Sequence, residues 1–209
     1  MSWWTELCTC CSCGERPGGF ELTQKAVEFC GFTRASNLID VACGDGATMC
    51  QLQEKLGCSV VGVDSDPSRQ GENIVLGQAQ DLPFPDGCAD GVLIECGLSQ
   101  MEQPDQVFAQ CARVLRPGGK LIVSDLYARK GGACPDSPMG RLDDQDAIQT
   151  RLEEHGFTLL LFEDQSAALT QLWAQALMSG QGEELFQKMR SDPVMSKVKA
   201  GYYLCIAEK

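Results

Sequence analysis

The sequence predicts a doubly wound α/β domain, and three observations predict it. Short apolar runs of strand length recur at 38–42, 59–63, 74–76, 89–94 and 120–124. Polar, helix-compatible stretches separate them, at 47–56, near 67–72 and at 104–115. The first run leads through Asp40-Val41-Ala42-Cys43-Gly44-Asp45-Gly46, a turn of small residues set directly before a helix. Apolar runs without polar alternation belong to strands buried on both faces, and their alternation with helices means βαβ units around a parallel sheet.

Before the first strand, Cys8, Cys10, Cys11 and Cys13 place four thiols within six residues, and Arg16-Pro17-Gly18-Gly19 reads as a turn. A short helix from about Leu22 is expected to stop at Gly31. Residues 1–35 are therefore expected to form a Cys-rich arm and a helix, and 36–209 the principal domain. After the fifth run, 127–142 is rich in Gly and Pro and reads as a loop. A helix over 143–154 follows, with Asp143 as its N-cap and Gly156 beyond its end. Residues 157–162 and 201–207 complete the strands. The connection between these two, 165–199, is long. It carries Leu169, Leu172, Trp173, Ala176 and Leu177, then Leu185, Phe186 and Met189, at helical spacing. Two short helices there would form a small cap over the sheet's edge or its active-site end.

The bulk properties narrow the function classes. With 209 residues and 44% hydrophobic content the chain can bury a sizeable core. A net charge of -12 repels phosphate backbones and anionic lipid, so no nucleic-acid or membrane partner is expected. No apolar run approaches the roughly 18 residues of a membrane span, and Met1-Ser2-Trp3-Trp4-Thr5-Glu6 lacks the charged and apolar regions of a secretory leader. A cytoplasmic location is the expectation. Of thirteen cysteines, Cys58, Cys88, Cys96, Cys111 and Cys205 sit singly in apolar stretches and read as reduced core residues.

Ligands of doubly wound sheets bind at the carboxyl ends of strands where the strand order reverses. The 42–46 turn lies at such an end, and its small residues let backbone approach a ligand closely. Asp64, eighteen residues beyond Gly46, ends the second strand and is placed to bind both hydroxyls of a ribose. A dinucleotide site expects G-x-G-x-x-G, but the third position here is Met49. Asp45 within the turn would repel a pyrophosphate, whereas Asp40 favours a ligand carrying an ammonium group. A purely structural turn is the remaining alternative.

The segment Asp40–Gly46 resembles the D-x-G-x-G-x-G signature of class I S-adenosylmethionine-dependent methyltransferases, with Ala42 in place of the first glycine. Further likenesses arrive in family order. Val60-Val61-Gly62-Val63-Asp64 is similar to the acidic ribose-binding strand end, and Gln78-Ala79-Gln80-Asp81-Leu82-Pro83-Phe84-Pro85-Asp86-Gly87 to the segment that flanks the adenine. Ala89-Asp90-Gly91-Val92 resembles the fourth strand, and Arg113-Val114-Leu115-Arg116-Pro117-Gly118-Gly119-Lys120-Leu121 the turn before the fifth. Gly201-Tyr202-Tyr203-Leu204 is similar to the last strand. The pattern is methyltransferase-11-like and also resembles little-characterised methyltransferases of anaerobic bacteria.

The resemblance implies a Rossmann-like sheet of seven strands, mostly parallel with the last antiparallel, and S-adenosylmethionine as cofactor. It implies that Asp40 steers the methionine amino group and that Ala42, Cys43, Gly44 and Gly46 form the loop around the methionine moiety. Asp64 would hold the ribose hydroxyls, with Ser65 beside the adenine. Gln78, Ala79 and Gln80 would flank the adenine, Ala79 through its backbone N–H and Gln78 through its amide oxygen. Glu95 would face the methionine end or the acceptor. The extra methyl of Ala42 is expected to narrow the site.

Methyl transfer is an in-line displacement that needs alignment and exclusion of water more than acid–base groups. No catalytic residue is assigned. His155 is expected to interact with a helix end rather than act as a base, and Tyr127 and Arg129 stand where they could touch an acceptor. The acceptor is expected to be a small molecule. Thiolates bind soft metals and metalloids, so the Cys8–Cys13 cluster, joined by Cys96, suggests a thiol-bound metalloid. Its spacing matches no common zinc pattern, no resident metal is expected, and a flexible reduced arm is the plainer reading. A catalytically silent cofactor-binding or protein-interaction module and a protein methyltransferase are the other functions considered. The pattern leaves the oligomeric state open.

Overall fold

The computed structural model describes residues 2–10, 16–69, 71–180 and 182–209, with 8–10 described by backbone alone. Its seven-stranded sheet contains β1 (Asn37–Val41), β2 (Ser59–Asp64), β3 (Ile74–Leu76), β4 (Ala89–Glu95), β5 (Leu115–Ala128), β8 (Thr158–Asp164) and β9 (Ala200–Glu208). The spatial order is β3-β2-β1-β4-β5-β9-β8. The first five strands pair in parallel, and β9 runs antiparallel between β5 and β8. The chain leaves β1 toward β2 on one side and returns to β4 on the other. The order therefore reverses between β1 and β4, the place where such sheets open a crevice.

Alternate residues of the central strands feed two separate cores. Leu38, Leu93, Ile122 and Tyr202 face one; Ile39, Val92, Val123 and Tyr203 face the other. This is the period of two of a pleated strand with both faces covered. The first face is covered by α1 (Trp3–Cys10), α2 (Gly19–Cys30), α3 (Ala47–Leu56) and α6 (Ser166–Met178), and the second by α4 (Pro104–Val114) and α5 (Gln145–Glu154). Pro104 opens α4 where a missing N–H costs nothing, and α2 stops at Gly31 as expected.

Several boundaries differ from the sequence reading. The helix expected near 67–72 is a single 3-10 turn, Pro67–Arg69, because β3 begins at Ile74 and leaves no room for more. The helix expected to reach 115 ends at Val114, since Leu115 already pairs with Ala89 as the first residue of β5. β5 then runs through Tyr127 and Ala128, which pair with Gly201 and Ala200. The rest of the expected 127–142 loop holds a hairpin of β6 (Cys134–Ser137) and β7 (Gly140–Leu142). The N-cap of α5 is Asp144, which accepts from the Ala147 N–H at 2.9 Å. Asp143 instead pairs with Arg151 and Arg141. The 165–199 insertion holds three helices rather than two: α6, α7 (Glu183–Ser191) and α8 (Pro193–Lys197).

The amino-terminal arm also differs. Residues 3–10 form α1, with Trp4 at 1% and Leu7 at 0% exposure in the first core. The side chains of Cys8 and Cys10, and all of Cys11 and Cys13, lie outside the described residues.

Candidate active site

At the β1/β4 reversal the strand ends and the loops after them enclose a cavity of about 730 Å³. The first wall is the 42–46 turn. The N–H groups of Ala42 and Cys43 both donate to the Val63 carbonyl, at 2.8 and 3.2 Å, and Gly46 N–H donates to Cys43 O at 3.0 Å. The turn needs φ of 59° at Ala42, 58° at Gly44 and 80° at Gly46 before α3 begins. Ala42 bears the steric cost of that left-handed conformation, about 1 kcal/mol. It lines the cavity, and a Cβ placed on the facing Gly97 would stand 3.0 Å from its own. Cys43 turns away: its Sγ fills the space over Gly62, where a Cβ would come within 2.5 Å of it and of Met49 Sδ. Burial, with Asp40 and Asp64 nearby, pushes the Cys43 thiol up to about 12, so it stays protonated.

The acidic groups form the second wall. Asp64 Oδ2 accepts from Gly44 N–H and Oδ1 from Asp66 N–H, both at 2.9 Å. Each oxygen retains acceptor capacity, since an ionised carboxylate has about four lone-pair sites. Glu95, at the end of β4, is held by Arg16 Nη2 at 2.9 Å, Thr23 Oγ1 at 2.6 Å and Thr48 Oγ1 at 3.0 Å. Asp40 lies beneath them at 3% exposure. Burial first, then repulsion from Glu95 and Asp64, holds its carboxyl well above the usual range, with Arg16 opposing. Arg16 was legible only as part of a turn. Nothing in an arginine before Pro-Gly-Gly signals an ion pair across 79 positions of chain.

The third wall is residues 77–80. Gly77 N–H donates to Asp64 O at 3.0 Å, and Gln80 Nε2 donates to Glu102 O at 2.6 Å. Arg113 on α4 braces the segment behind it. Its two Nη groups donate to Leu82 O and Phe84 O at 2.7 Å, and one also meets Asp86 Oδ1 at 2.8 Å.

On the remaining side α1 lies against the opening. Trp4 and Thr5 line the cavity, and Trp4 Nε1 donates to Cys96 O at 3.1 Å. Cys96, at φ 59°, places Sγ 3.0 Å from Tyr202 Oη, which donates to Ser124 O at 3.1 Å. Burial pushes the Tyr202 hydroxyl well above its ordinary value, so it keeps its proton.

Of the residues expected at the site, Ala42, Gly44, Asp64, Ser65, Gln78, Ala79, Gln80 and Glu95 line the cavity; Asp40, Cys43 and Gly46 do not. Cys96 lines it, but Tyr127 and Arg129 do not. Tyr127 packs between Phe162 and Tyr203, and Arg129 pairs with Asp164 at 3.0 Å. His155 stacks on Phe108 and points Nε2 at Asp105, 3.5 Å away. Among the described residues no group of three or more His, Cys, Asp or Glu side chains is arranged to hold a metal.

Residues 39–123 match the family model described as a methyltransferase domain. The chain is 31% identical over 150 residues to O-methyltransferase cnsE of Penicillium expansum, covering 61% of this chain and 54% of that protein. It spans between about half and three quarters of the length of the curated relatives it matches. Among solved structures it is similar to geranyl diphosphate methyltransferase in complex with SAM, with TM-score 0.76, 16% identity, and coverage of 91% of this chain and 85% of that one. It is equally similar in fold to the [4+2]-cyclase SpnF, with TM-score 0.76, 20% identity, and coverage of 92% and 81%.

Proposed function

We propose that the chain carries a class I methyltransferase domain and transfers a methyl group from S-adenosylmethionine to a small-molecule acceptor, a reading supported by the methyltransferase-domain match at 39–123 and the likeness to an O-methyltransferase. The observation that carries this reading is the cavity at the β1/β4 reversal, walled by the 42–46 turn, Asp64, residues 77–80 and Glu95. Its charge selects among ligands. Asp64, Glu95 and Glu102 line the cavity against Arg69 and against the Arg16 that pairs with Glu95, a balance that leaves net negative charge, disfavours a pyrophosphate and suits a ligand bearing ammonium and sulfonium charge.

When bound, S-adenosylmethionine supplies an electrophilic methyl group on a cationic sulfur. The residues' tasks are to bind, orient and keep out water. Backbone at Ala42, Cys43 and Gly44 would take the methionine moiety, with Asp40 and Glu95 biasing its amino group. Asp64 would accept from the ribose hydroxyls, and Ser65 and Gln78–Gln80 would flank the adenine. Arg16 fixes Glu95 and weakens its repulsion with Asp40. Trp4 and Thr5 exclude water from the acceptor side. The net charge of -12 argues for a small acceptor over a nucleic acid. No helix among the described residues is long and apolar enough to cross a membrane.

Calorimetry with S-adenosylmethionine and S-adenosylhomocysteine tests the reading. Saturable binding of both, weakened in Asp64→Ala, is expected; no binding of either would overturn it. Binding without methyl transfer to any component of a metabolite extract would favour a silent module. The finer reading, a thiol-bound metalloid acceptor, is favoured by Cys96 on the cavity wall and by α1, which runs from Trp4 at the cavity to Cys10. Labelled methyl transfer to arsenite with added thiol is the expected result. Unchanged turnover with Cys8, Cys10, Cys11 and Cys13 all replaced by Ser would exclude a role for the cluster.

A further inference from the structure

A second cavity, of about 440 Å³, opens between the cap helices and the ends of β5 and β9, and shares no lining residue with the first. Its charge balance is the reverse of the first, where Asp64, Glu95 and Glu102 outnumber Arg69. The floor is apolar, built on Trp173, Met189 and Met195, while Arg129, Arg190 and Lys199 stand around it. No acidic side chain is among the described residues that line it, in a chain with 29 acidic and 17 basic residues.

Arg129 and Arg190 are set in place by neighbouring side chains. Arg129 pairs with Asp164 at 3.0 Å, and its stem lies over Gly201, where a Cβ would stand 2.5 Å from Cγ and Cδ. The Arg190 guanidinium sits 5.9 Å from the Phe186 ring centroid, and that ring lies 5.6 Å from Trp173. Among the described residues no carboxylate lies within ion-pair distance of Arg190 or Lys199. Those two charges are thus available to a ligand, with apolar surface directly beneath them. Three methionines, Met139, Met189 and Met195, make the lining adaptable in shape.

We propose that this cavity binds a monomeric amphipathic anion, an apolar body with a carboxylate or phosphate head held by Arg190 and Lys199. Its volume falls within the range of about 300–1,000 Å³ of small-molecule sites. The floor takes the apolar body, and the two unpaired cations give the charge-assisted hydrogen bonds that discriminate the head. The site is independent of methyl transfer in the first cavity.

The test uses the full-length protein and dodecanoate below its micellar concentration, with quenching of Trp173 fluorescence as the readout. Saturable quenching is expected, absent in Trp173→Phe and weakened at least about tenfold by Arg190→Glu with Lys199→Glu, both surface-exposed positions. Dodecyltrimethylammonium, with the same tail and the opposite charge, is expected to bind at least about tenfold more weakly. Saturating S-adenosylhomocysteine should leave dodecanoate binding unchanged, which separates this site from the first cavity. Equal binding of the two head groups, or full dodecanoate affinity in the folded double variant, would overturn the proposal. So would association with phosphatidylglycerol vesicles but not with monomeric dodecanoate.

Discussion

The cavity at the β1/β4 reversal is lined by Asp64, Glu95 and Glu102 against the single lining cation Arg69, whereas the cavity under the cap is ringed by Arg129, Arg190 and Lys199 with no acidic lining residue among those described. The two also differ in how they are built. The first is largely backbone: its turn is fixed by main-chain hydrogen bonds to Val63 and Cys43, and its acid at 64 is tied to the N–H groups of Gly44 and Asp66. The second is made of side chains from three cap helices and the ends of β5 and β9, held by packing and one ion pair. A backbone site recurs wherever the same turn recurs, so relatives can share it. A side-chain site is free to vary beneath it. The likeness in fold to both a methyltransferase and a [4+2]-cyclase shows that this frame does not by itself set the chemistry.

The largest expected break between the two cavities is Asp64→Ala. It removes the acceptor proposed for two hydroxyls and should weaken S-adenosylhomocysteine by about 3 kcal/mol, roughly a hundredfold, in calorimetry. Dodecanoate binding under the cap should not change. Loss of both would mean that the cavities are not separate.

Next is a pH effect at Asp125, which anchors the 98–100 turn beside the first cavity through Ser99 N–H at 2.7 Å and Ser99 Oγ at 2.8 Å. Burial raises its pKa to about 6, so the folded state keeps a proton that the unfolded chain releases near pH 4. The associated stability is complete below about pH 4 and is lost as pH rises toward about 6, on the order of 2–3 kcal/mol. Thermal unfolding of Asp125→Asn should lack this slope between pH 4 and 6. An identical slope in the variant would assign it to another group.

Gly62→Ala should cost about 2 kcal/mol in urea denaturation, because the new Cβ would collide with Cys43 Sγ and Met49 Sδ behind the 42–46 turn. A neutral result would show that the turn is not braced from behind. The smallest effect is a gain. Ala42→Gly should stabilise the protein by about 0.5–1 kcal/mol by relieving a left-handed alanine, without weakening S-adenosylhomocysteine. A loss of stability would show that packing of the Ala42 methyl against Gly97 outweighs the backbone strain.

How much was legible varies by feature. The apolar runs placed all seven strands of the main sheet: the central strands β4 and β9, buried on both faces, leave a signal at nearly every position, and the more exposed edge strands β3 and β8 still carry short apolar runs. Asp64 and the 42–46 turn were legible since their places follow from strand ends a fixed distance apart. The hairpin at 134–142 was hidden by Gly and Pro, which mark turns but also tolerate short paired segments. The shift of the α5 cap from Asp143 to Asp144 was decided by Arg141 and Arg151, which take the first carboxylate as an ion-pair partner. Residues 3–10 of the arm pack as α1 because Trp4 and Leu7 find a core that only the folded sheet provides.

By itself, then, the sequence determined the layered α/β frame, the turn at Asp40–Gly46 and the acid at the end of the second strand, all set by local spacing. Only the tertiary structure brought Arg16 to Glu95, Trp4 over the first cavity and three cations around the second. Those contacts join residues far apart in the chain. Their energy depends on separation in space, which no local periodicity records.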